Sequence, residues 1–137
     1  MNKFQREKIS VALLAKPFLK PLVKRLTGLG GDCAVVWWDD ALTEEGFVFA
    51  LLAFGRATNG RSARLRLMEN NQCHENSRAL SVRYPKLYQA ETGYALSADG
   101  TWRPHSWVWD VQKAQIVETT ELRTKYFGIT ENKHDGR

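Results

Sequence analysis

The sequence predicts an α+β protein in which N-terminal helices and a cysteine-bearing helix pack on an antiparallel β-sheet. An apolar stripe at helical spacing covers residues 2–16. A further helix is expected from about Gln72 to Tyr84, because the residue before Pro85 is disfavoured in the helical conformation. Alternating apolar and polar residues then recur between residues 92 and 121, as in an antiparallel meander. The length of 137 residues fits one domain.

The first elements after the N-terminal helix are irregular. Pro17 and Pro21 lack an amide donor and are expected to end or kink that helix, so that a second short helical piece runs to about Arg25. Residues 28–32, GLGGD, predict a loop or linker. Residues 33–38, CAVVWW, are β-branched and aromatic and predict a buried strand.

Residues 39–55 admit two interpretations. Thr43, followed by two glutamates, is typical of a helix N-terminus with acidic side chains in its first turn. The apolar run FVFALLAF fits a buried strand equally well, since a short apolar run does not reveal its period. Residues 56–63, RATNGRSA, predict a turn, and residues 64–68, RLRLM, alternate as a strand does.

The meander has the clearest pattern in the chain. Residues 92–97, TGYALS, alternate as a strand, and residues 98–100, ADG, carry the Asp-Gly signal of a hairpin turn. Residues 101–110, TWRPHSWVWD, form the second predicted strand. Residues 111–114, VQKA, predict a loop, and residues 115–121, QIVETTE, predict the third strand.

Positive charge is concentrated at the N-terminus. The chain carries a formal charge of +5, yet most of its excess basic side chains precede residue 26. We therefore expect a basic helical arm over residues 1–27, a single α+β domain over residues 28–129 and a polar tail over residues 130–137. Such an arm suits an anionic partner, such as nucleic acid, anionic lipid or an acidic protein, or serves only as a solvated surface.

The two cysteines, Cys33 and Cys73, are too few for a disulfide scaffold. We expect free thiols in a reducing cytoplasm, although a single disulfide between them stays open. The apolar run ISVALLA is short for a signal peptide. No segment approaches the ~18 apolar residues that a membrane span requires. The sequence therefore predicts a cytoplasmic protein without a membrane span.

A cysteine, a histidine and an acid occur on successive predicted elements. Cys73 lies in the first turn of a helix, where the partial positive charge of the helix end favours the thiolate. His105 and Glu118 lie within neighbouring strands of the meander. A register that pairs Trp109 with Ala114 places His105 directly opposite Glu118, with Cβ atoms ~5 Å apart.

A helix-borne cysteine, followed by HSWVWD on one strand and IVETTE on the next, resembles the papain-like and transglutaminase-like superfamily. The resemblance covers about residues 68–127. It implies that Cys73 is a nucleophile, that His105 is a base and that Glu118 orients the imidazole. It also implies a helix packed on an antiparallel sheet. The C-terminal part is similar to short bacterial proteins as well, and that likeness implies no function.

Acyl chemistry also needs donors for an oxyanion and a substrate cleft. The backbone amide of Cys73 is one predicted donor. Two tryptophans near His105 either wall a cleft or belong to the core. The predicted oxyanion and substrate-binding side chains are Asn71, Gln72, Asn76, Trp102 and Trp107.

Neither a metal nor a cofactor is expected from the sequence. Cys33, Cys73, His74 and His105 are suitable zinc ligands by type, but no CxxC or HxxxH spacing occurs. Cys73 and His74 are adjacent and would point ~100° apart on a helix, so both cannot easily reach one ion.

Three functions remain open from the sequence. The first is a small cysteine hydrolase or acyl transferase that acts on an amide, ester or thioester of an unidentified small molecule or peptide. The second is a non-catalytic interaction or ligand-binding module of the same fold, in which Cys73 and His105 are packing residues. The third is a nucleic-acid accessory that uses the basic arm. The oligomeric state is not predicted.

Overall fold

The structure, a computed structural model, describes residue 3, residues 16–35 and residues 41–131. Within these ranges it contains three α-helices and one sheet of seven strands, so the predicted α+β class is confirmed. Most of the helix predicted over residues 2–16 lies outside the described residues, as does the end of the strand predicted over residues 33–38.

The elements follow one another along the chain with short connections. The helices are α1 (Leu19–Leu29), α2 (Glu45–Phe54) and α3 (Cys73–Arg83). The strands are β1 (Cys33–Ala34), β2 (Arg56–Asn59), β3 (Arg64–Leu65), β4 (Tyr88–Leu96), β5 (Thr101–Asp110), β6 (Gln115–Glu118) and β7 (Lys125–Thr130). Short 3₁₀ helices span Ala41–Thr43 and Gly60–Ser62.

The seven strands form a mixed sheet around a long central hairpin. Their order is β2-β7-β4-β5-β6-β3, and β1 pairs separately with β5. β1 runs parallel to β5 and β3 runs parallel to β6, whereas the other pairs are antiparallel. The predicted strands over residues 101–110 and 115–121 correspond to β5 and β6. β4 begins at Tyr88, earlier than the predicted start at residue 92.

One edge of β5 is only partly covered by neighbouring strands. β4 lies along the whole of the other edge. On the edge opposite β4, β1 pairs with Thr101 and Trp102, and β6 pairs with residues 108–110. Residues 103–107 therefore have no strand partner on this edge within the described chain.

The main core lies where α1 and α2 cover the sheet. Leu19, Leu22 and Leu26 of α1 are fully buried and pack with Val48 and Leu51 of α2. The sheet contributes large apolar side chains to the same cluster, namely Tyr94, Leu96, Trp102 and Phe127.

α3 covers a second part of the same sheet face. Leu80 of α3 packs against Tyr88, Val108 and Val117. Because successive strand residues alternate between faces, Trp107 points to the opposite face from Val108. There it packs in a separate cluster with Ala95, Ile116 and Tyr126.

α1 ends later than the sequence predicts. The helix continues past Arg25 to Leu29, and Leu26 in its last turns is fully buried. It ends at Gly30, whose φ of 152° favours glycine. Pro21 lies in the first turn, where its missing amide removes no intrahelical hydrogen bond. The boundary predicted after residue 27 therefore falls inside α1.

Most of the described basic side chains of the predicted arm are exposed, whereas Lys16 is half-buried and donates to Thr43. Lys20, Lys24 and Arg25 lie on α1 and are exposed to solvent, whereas Leu22 and Leu26 face the core. An anionic partner for these side chains stays a prediction. None of the helices in the described ranges has the length and apolar character needed to cross a bilayer.

The structure decides two predictions for residues 39–63, one through the burial of apolar side chains and one through strand pairing. Of the two interpretations of residues 39–55, the helix is found, because Val48 and Leu51 reach the core at helical spacing. The turn predicted over residues 56–63 is wrong at its beginning, which forms β2. β2 pairs with β7, a strand that the sequence analysis did not assign and that supplies the missing partner.

The strand predicted over residues 64–68 is shorter than expected. β3 includes only Arg64 and Leu65, which pair with β6. Beyond it, the amides of Arg66 and Met68 still donate to the carbonyls of Glu118 and Thr119.

The predicted register of the β5–β6 hairpin is wrong by two residues. Trp109 lies opposite Ile116, not opposite Ala114. Ala114 instead takes a left-handed conformation in the loop, with φ of 50°. The Asp110 carboxylate holds this loop by accepting hydrogen bonds from the amides of Gln112 and Lys113, both at 3.0 Å. Side-chain hydrogen bonds to the loop backbone were not visible in the hydrophobic pattern.

Despite the error of two residues in the register, each side chain of the two strands points to the face of the sheet that was predicted. Side chains alternate with a period of two, so a shift by two residues keeps His105 and Glu118 on one face. The two are diagonal neighbours instead of directly opposed residues. A longer side chain such as glutamate reaches its diagonal neighbour.

We expect α1 to be necessary for the stability of the domain. Leu22→Ala should lower the free energy of unfolding by about 2–5 kcal/mol, because it removes a fully buried side chain and leaves a cavity. Leu67→Ala is the matched control, since Leu67 is 70% exposed and its truncation should change stability by less than about 0.5 kcal/mol. Urea unfolding of both variants measures the difference. Equal stability losses would contradict the packing of α1 in the core.

Candidate active site

Cys73 is the first residue of α3. The first hydrogen bond of the helix runs from the amide of Asn76 to the carbonyl of Gln72. The amides of Cys73 and the two residues after it therefore have no acceptor within the helix, as is general for a first helical turn. These amides and the helix dipole create positive potential at the Cys73 thiol.

The chain enters α3 through a left-handed residue. Asn71 has φ of 60°, a conformation that asparagine tolerates better than most residues. The N-cap residue of the helix is Gln72, which makes no side-chain capping bond. Inside the first turn, the Ser77 hydroxyl donates to the Cys73 carbonyl at 2.7 Å.

Asn76 fixes this helix start to the sheet. Its side-chain amide donates to the carbonyl of Glu69 at 2.8 Å and to the Thr119 hydroxyl at 3.3 Å. It is buried and does not line the cleft beside Cys73. The predicted oxyanion or substrate-binding side chain therefore binds the protein's own backbone, which the polar flanks of Cys73 did not reveal.

His105 lies in the middle of β5 and is buried. Its ring is tilted against the rings of Trp107 and Tyr126, with centroids 6.0 and 6.5 Å away. Nε2 lies 2.8 and 3.0 Å from the two carboxylate oxygens of Glu118. A proton on Nε2 satisfies this contact, so Nδ1 is the ring nitrogen left for Cys73.

Glu118 is fully buried at the end of β6 and is saturated with donors. Besides His105 at Oε1, the Tyr126 hydroxyl donates to Oε1 at 2.8 Å. The backbone amide and the hydroxyl of Thr120 donate to Oε2, both at 3.1 Å. A buried carboxylate with this many hydrogen bonds is stable as an anion.

The ionisation of the three side chains is coupled. Burial is the largest influence on the Cys73 thiol and raises its pKa, but the hydrogen bond and charge of His105 outweigh it and lower that pKa below 9.0. Burial also disfavours the imidazolium of His105, yet hydrogen bonds to Cys73 and Glu118 raise its pKa above 6.5. These directions favour a thiolate beside an imidazolium.

The pKa of Glu118 is lowered despite its burial. Desolvation is the largest influence and raises the pKa, but the hydrogen bond and charge of His105 and the amide of Thr120 more than offset it. The pKa of Tyr126 is raised by burial and by the adjacent Glu118 carboxylate, so its hydroxyl stays protonated and donates.

The backbone of β5 supplies a further contact to the sulfur. The backbone amide of Ser106 donates to Cys73 and contributes to lowering its pKa. The Ser106 hydroxyl points to the helix side, where it donates to Thr92 at 3.0 Å and lies 3.4 Å from Nδ1 of His74. His74 also lies 3.6 Å from the carboxylate of Glu131, so it faces away from the His105 ring.

A cleft of about 280 Å³ opens beside the Cys73 thiol. Its walls come from the turn before α3, the middle of β5 and the loop after β6. The lining residues are Asn70, Asn71, Cys73, Pro104, His105, Thr120, Glu121 and Arg123. Most of them are polar, which suits a polar group such as an amide.

The predicted substrate-binding residues are only partly brought to this cleft. Asn71 lines it, whereas Gln72 is exposed and does not. Trp102 and Trp107 are fully buried and do not line it, so they are core residues. Their indole groups donate to the Gly30 carbonyl at 2.8 Å and to a carboxylate oxygen of Glu91 at 2.9 Å.

Four residues around Cys73, His105 and Glu118 were not predicted from the sequence: Ser106, Thr120, Arg123 and Tyr126. Thr120 belongs to the ETT segment, whose two threonines after an acid were a usable signal. Ser106 acts through its backbone, which leaves no trace in the sequence. Tyr126 and Arg123 belong to β7 and its preceding loop, which were not assigned as a sheet element.

Both cysteines are free, as expected. Cys33 pairs with Thr101 at the beginning of β5, and its sulfur lies 3.4 Å from the Thr101 hydroxyl. Within residues 16–35 and 41–131, no group of three or more histidine, cysteine or acidic side chains is arranged to hold a metal ion.

Comparison with known proteins identifies no relative of this chain. No protein-family model matches the chain, and no curated protein and no solved structure matches it significantly. The likeness to the papain-like and transglutaminase-like superfamily therefore rests on the residues themselves.

The ionised Glu118 should stabilise the fold in a pH-dependent way. Because its folded pKa lies below 4.5, its contribution is fully present above about pH 4.5 and is lost as pH falls through the folded pKa. The stability difference between the wild type and Glu118→Gln should therefore shrink on acidification. Urea unfolding between about pH 3 and pH 7 measures it. Glu44→Gln, at an exposed position, is the control, and a difference that does not vary with pH would contradict the prediction.

Proposed function

We propose that the protein is a small cysteine hydrolase or acyl transferase that acts on an amide, ester or thioester. One observation supports this most: the buried His105 ring hydrogen-bonds to Glu118 at 2.8 Å and interacts with Cys73, whose pKa it lowers. A nucleophile, a base and an orienting acid are the parts that covalent acyl transfer requires. They line or adjoin a polar cleft that is open to solvent.

In the proposed first step, the Cys73 thiolate attacks the substrate carbonyl carbon. A carbon–sulfur bond forms and the carbonyl π electrons move to oxygen. When the tetrahedral intermediate collapses, the bond to the leaving group breaks, and the imidazolium of His105 gives that group its proton. The products are a thioester on Cys73 and the free amine, alcohol or thiol.

The second step returns the enzyme to its starting state. His105, now neutral, accepts a proton from water or from an acceptor nucleophile, which attacks the thioester carbon. The carbon–sulfur bond then breaks and Cys73 leaves as the thiolate beside the imidazolium. Water gives hydrolysis, whereas another nucleophile gives acyl transfer. Glu118 stays ionised throughout and keeps the imidazole in position.

The oxyanion of both intermediates needs donors next to the sulfur. We assign the backbone amide of Cys73 to this role, because the first turn of α3 leaves it without an intrahelical acceptor. The side chain of Asn71 is the second proposed donor, since it lines the cleft in the turn before the helix. A cytoplasmic location, where thiols stay reduced, fits this chemistry.

Alkylation of Cys73 by iodoacetamide tests the proposal. In a Cys33→Ser variant, Cys73 is the one thiol left to be alkylated. Its alkylation should begin at a pH well below the ordinary thiol pKa of ~8.5. His105→Ala should move the midpoint towards that value, because the hydrogen bond and charge that lower the thiol pKa are lost. The rate of alkylation is measured from about pH 4 to pH 9. An ordinary thiol that is indifferent to His105 would instead support a non-catalytic module with the same packing.

Turnover of an acyl substrate should depend on all three side chains, once a substrate is found by screening ester and amide libraries. Cys73→Ser and His105→Ala should each lower kcat by at least about 10²-fold. Glu118→Gln should lower kcat with a smaller effect on KM, because it acts through His105. Val82→Ala, at a position of α3 that is 73% exposed, is the control and should leave both constants unchanged. Full activity of Cys73→Ser would sink the mechanism.

A further inference from the structure

Arg123 lines the same cleft as Cys73 and His105, and it is held there by two hydrogen bonds. Its backbone amide donates to the Tyr126 hydroxyl at 3.1 Å, and its side-chain Nε donates to the Glu121 carbonyl at 3.1 Å. The first bond joins the Arg123 backbone to the tyrosine that also binds Glu118. The position of Arg123 is therefore tied to the site, and is not that of a freely moving surface arginine.

The outer part of the guanidinium is not used by the protein. In the described chain, neither terminal NH₂ group of Arg123 has a hydrogen-bond or ion-pair partner. Several other arginines form ion pairs, namely Arg56 with Glu91, Arg64 with Asp110, Arg78 with Glu131, and Arg103 with Asp99. A half-buried cation that faces a cleft without a carboxylate partner is suited to bind one from a ligand.

The charge of Arg123 also acts on the reacting groups. It opposes protonation of His105 and so lowers the pKa of that ring, although the hydrogen bonds to Cys73 and Glu118 outweigh the effect. Glu121 is exposed at the same cleft and partly offsets the positive charge there. The guanidinium therefore lies close enough to the imidazole to act on a ligand that reaches the thiol.

We propose that Arg123 forms a carboxylate-binding subsite, so that the acyl substrate of this cleft carries a carboxylate near its scissile bond. The planar fork of arginine matches the two oxygens of a carboxylate and fixes the orientation of the bound group. This inference rests on the proposed function for the identity of the substrate. The affinity of the cleft for a carboxylate is independent of catalysis.

Two alkylating agents of different charge test the subsite without a known substrate. Iodoacetate carries a carboxylate and iodoacetamide is its neutral counterpart, and both react with the thiolate. Both rate constants are proportional to the fraction of Cys73 that is thiolate, so their ratio does not depend on it. The ratio therefore measures how strongly the cleft attracts a carboxylate. Arg123→Gln should lower the iodoacetate to iodoacetamide ratio by about fivefold, the size expected for one partly exposed ion pair.

A matched control separates a local effect from a change in net charge. Arg103→Gln removes the same charge from the strand that carries His105, but Arg103 pairs with Asp99 and does not line the cleft. Its ratio should equal that of the wild type. Glu121→Gln should raise the ratio, since it removes the offsetting charge. An Arg123→Gln ratio equal to that of the wild type or of Arg103→Gln would overturn the subsite.

Protection experiments identify the source of the carboxylate. N-acetylglycine presents a chain-terminal carboxylate, N-acetylglutamic acid α-amide presents only a side-chain carboxylate, and N-acetylglycinamide is neutral. One of the first two should slow alkylation by iodoacetamide in the wild type and in Arg103→Gln, but not in Arg123→Gln. Equal protection by the neutral amide, or protection that persists in Arg123→Gln, would overturn the proposal. An ordinary pH profile for iodoacetamide, with the charge preference retained, would reject the acyl-transfer chemistry and keep the subsite.

Discussion

The contact between His105 and Glu118 is the interaction on which the rest of the site depends. Two buried polar groups on neighbouring strands are costly unless each has a partner. Here the Glu118 carboxylate accepts hydrogen bonds from the His105 imidazole, the Tyr126 hydroxyl, and the backbone amide and hydroxyl of Thr120. The His105 ring is thereby held in one orientation, with one nitrogen towards Cys73. Without the carboxylate, burial would neutralise the ring and weaken the thiolate beside it.

The side chain of His105 and the helix that carries Cys73 lie on opposite faces of the sheet. His105 points to the face that carries Trp107 and Tyr126, whereas α3 packs on the face that carries Val108. In the described chain, no strand pairs with residues 103–107 on the edge of β5 opposite β4, between its pairings with β1 and β6. Cys73 interacts there with His105, and the Ser106 amide donates to the sulfur.

β7 connects the fold to the site. Its Phe127 packs with α1 and α2 in the main core, and the adjacent Tyr126 points to the opposite face and binds Glu118. The loop before it carries Arg123, whose amide binds the same tyrosine. Packing of the helices on one face therefore fixes the position of polar groups on the other, because both depend on one rigid strand.

The sequence by itself determined the α+β class, the helix that begins at Cys73 and the common face of His105 and Glu118. These follow from local periodicity, from turn residues and from the two-residue period of a strand, which tolerated an error of two residues in the register. Tertiary structure alone decided that residues 39–55 contain a helix, that β2 and β7 pair, and that Asn76, Trp102 and Trp107 serve packing. It also decided which groups saturate Glu118, since those contacts join residues that no local pattern relates. Long-range pairing selects among local alternatives of similar free energy, and the sequence pattern does not contain that selection.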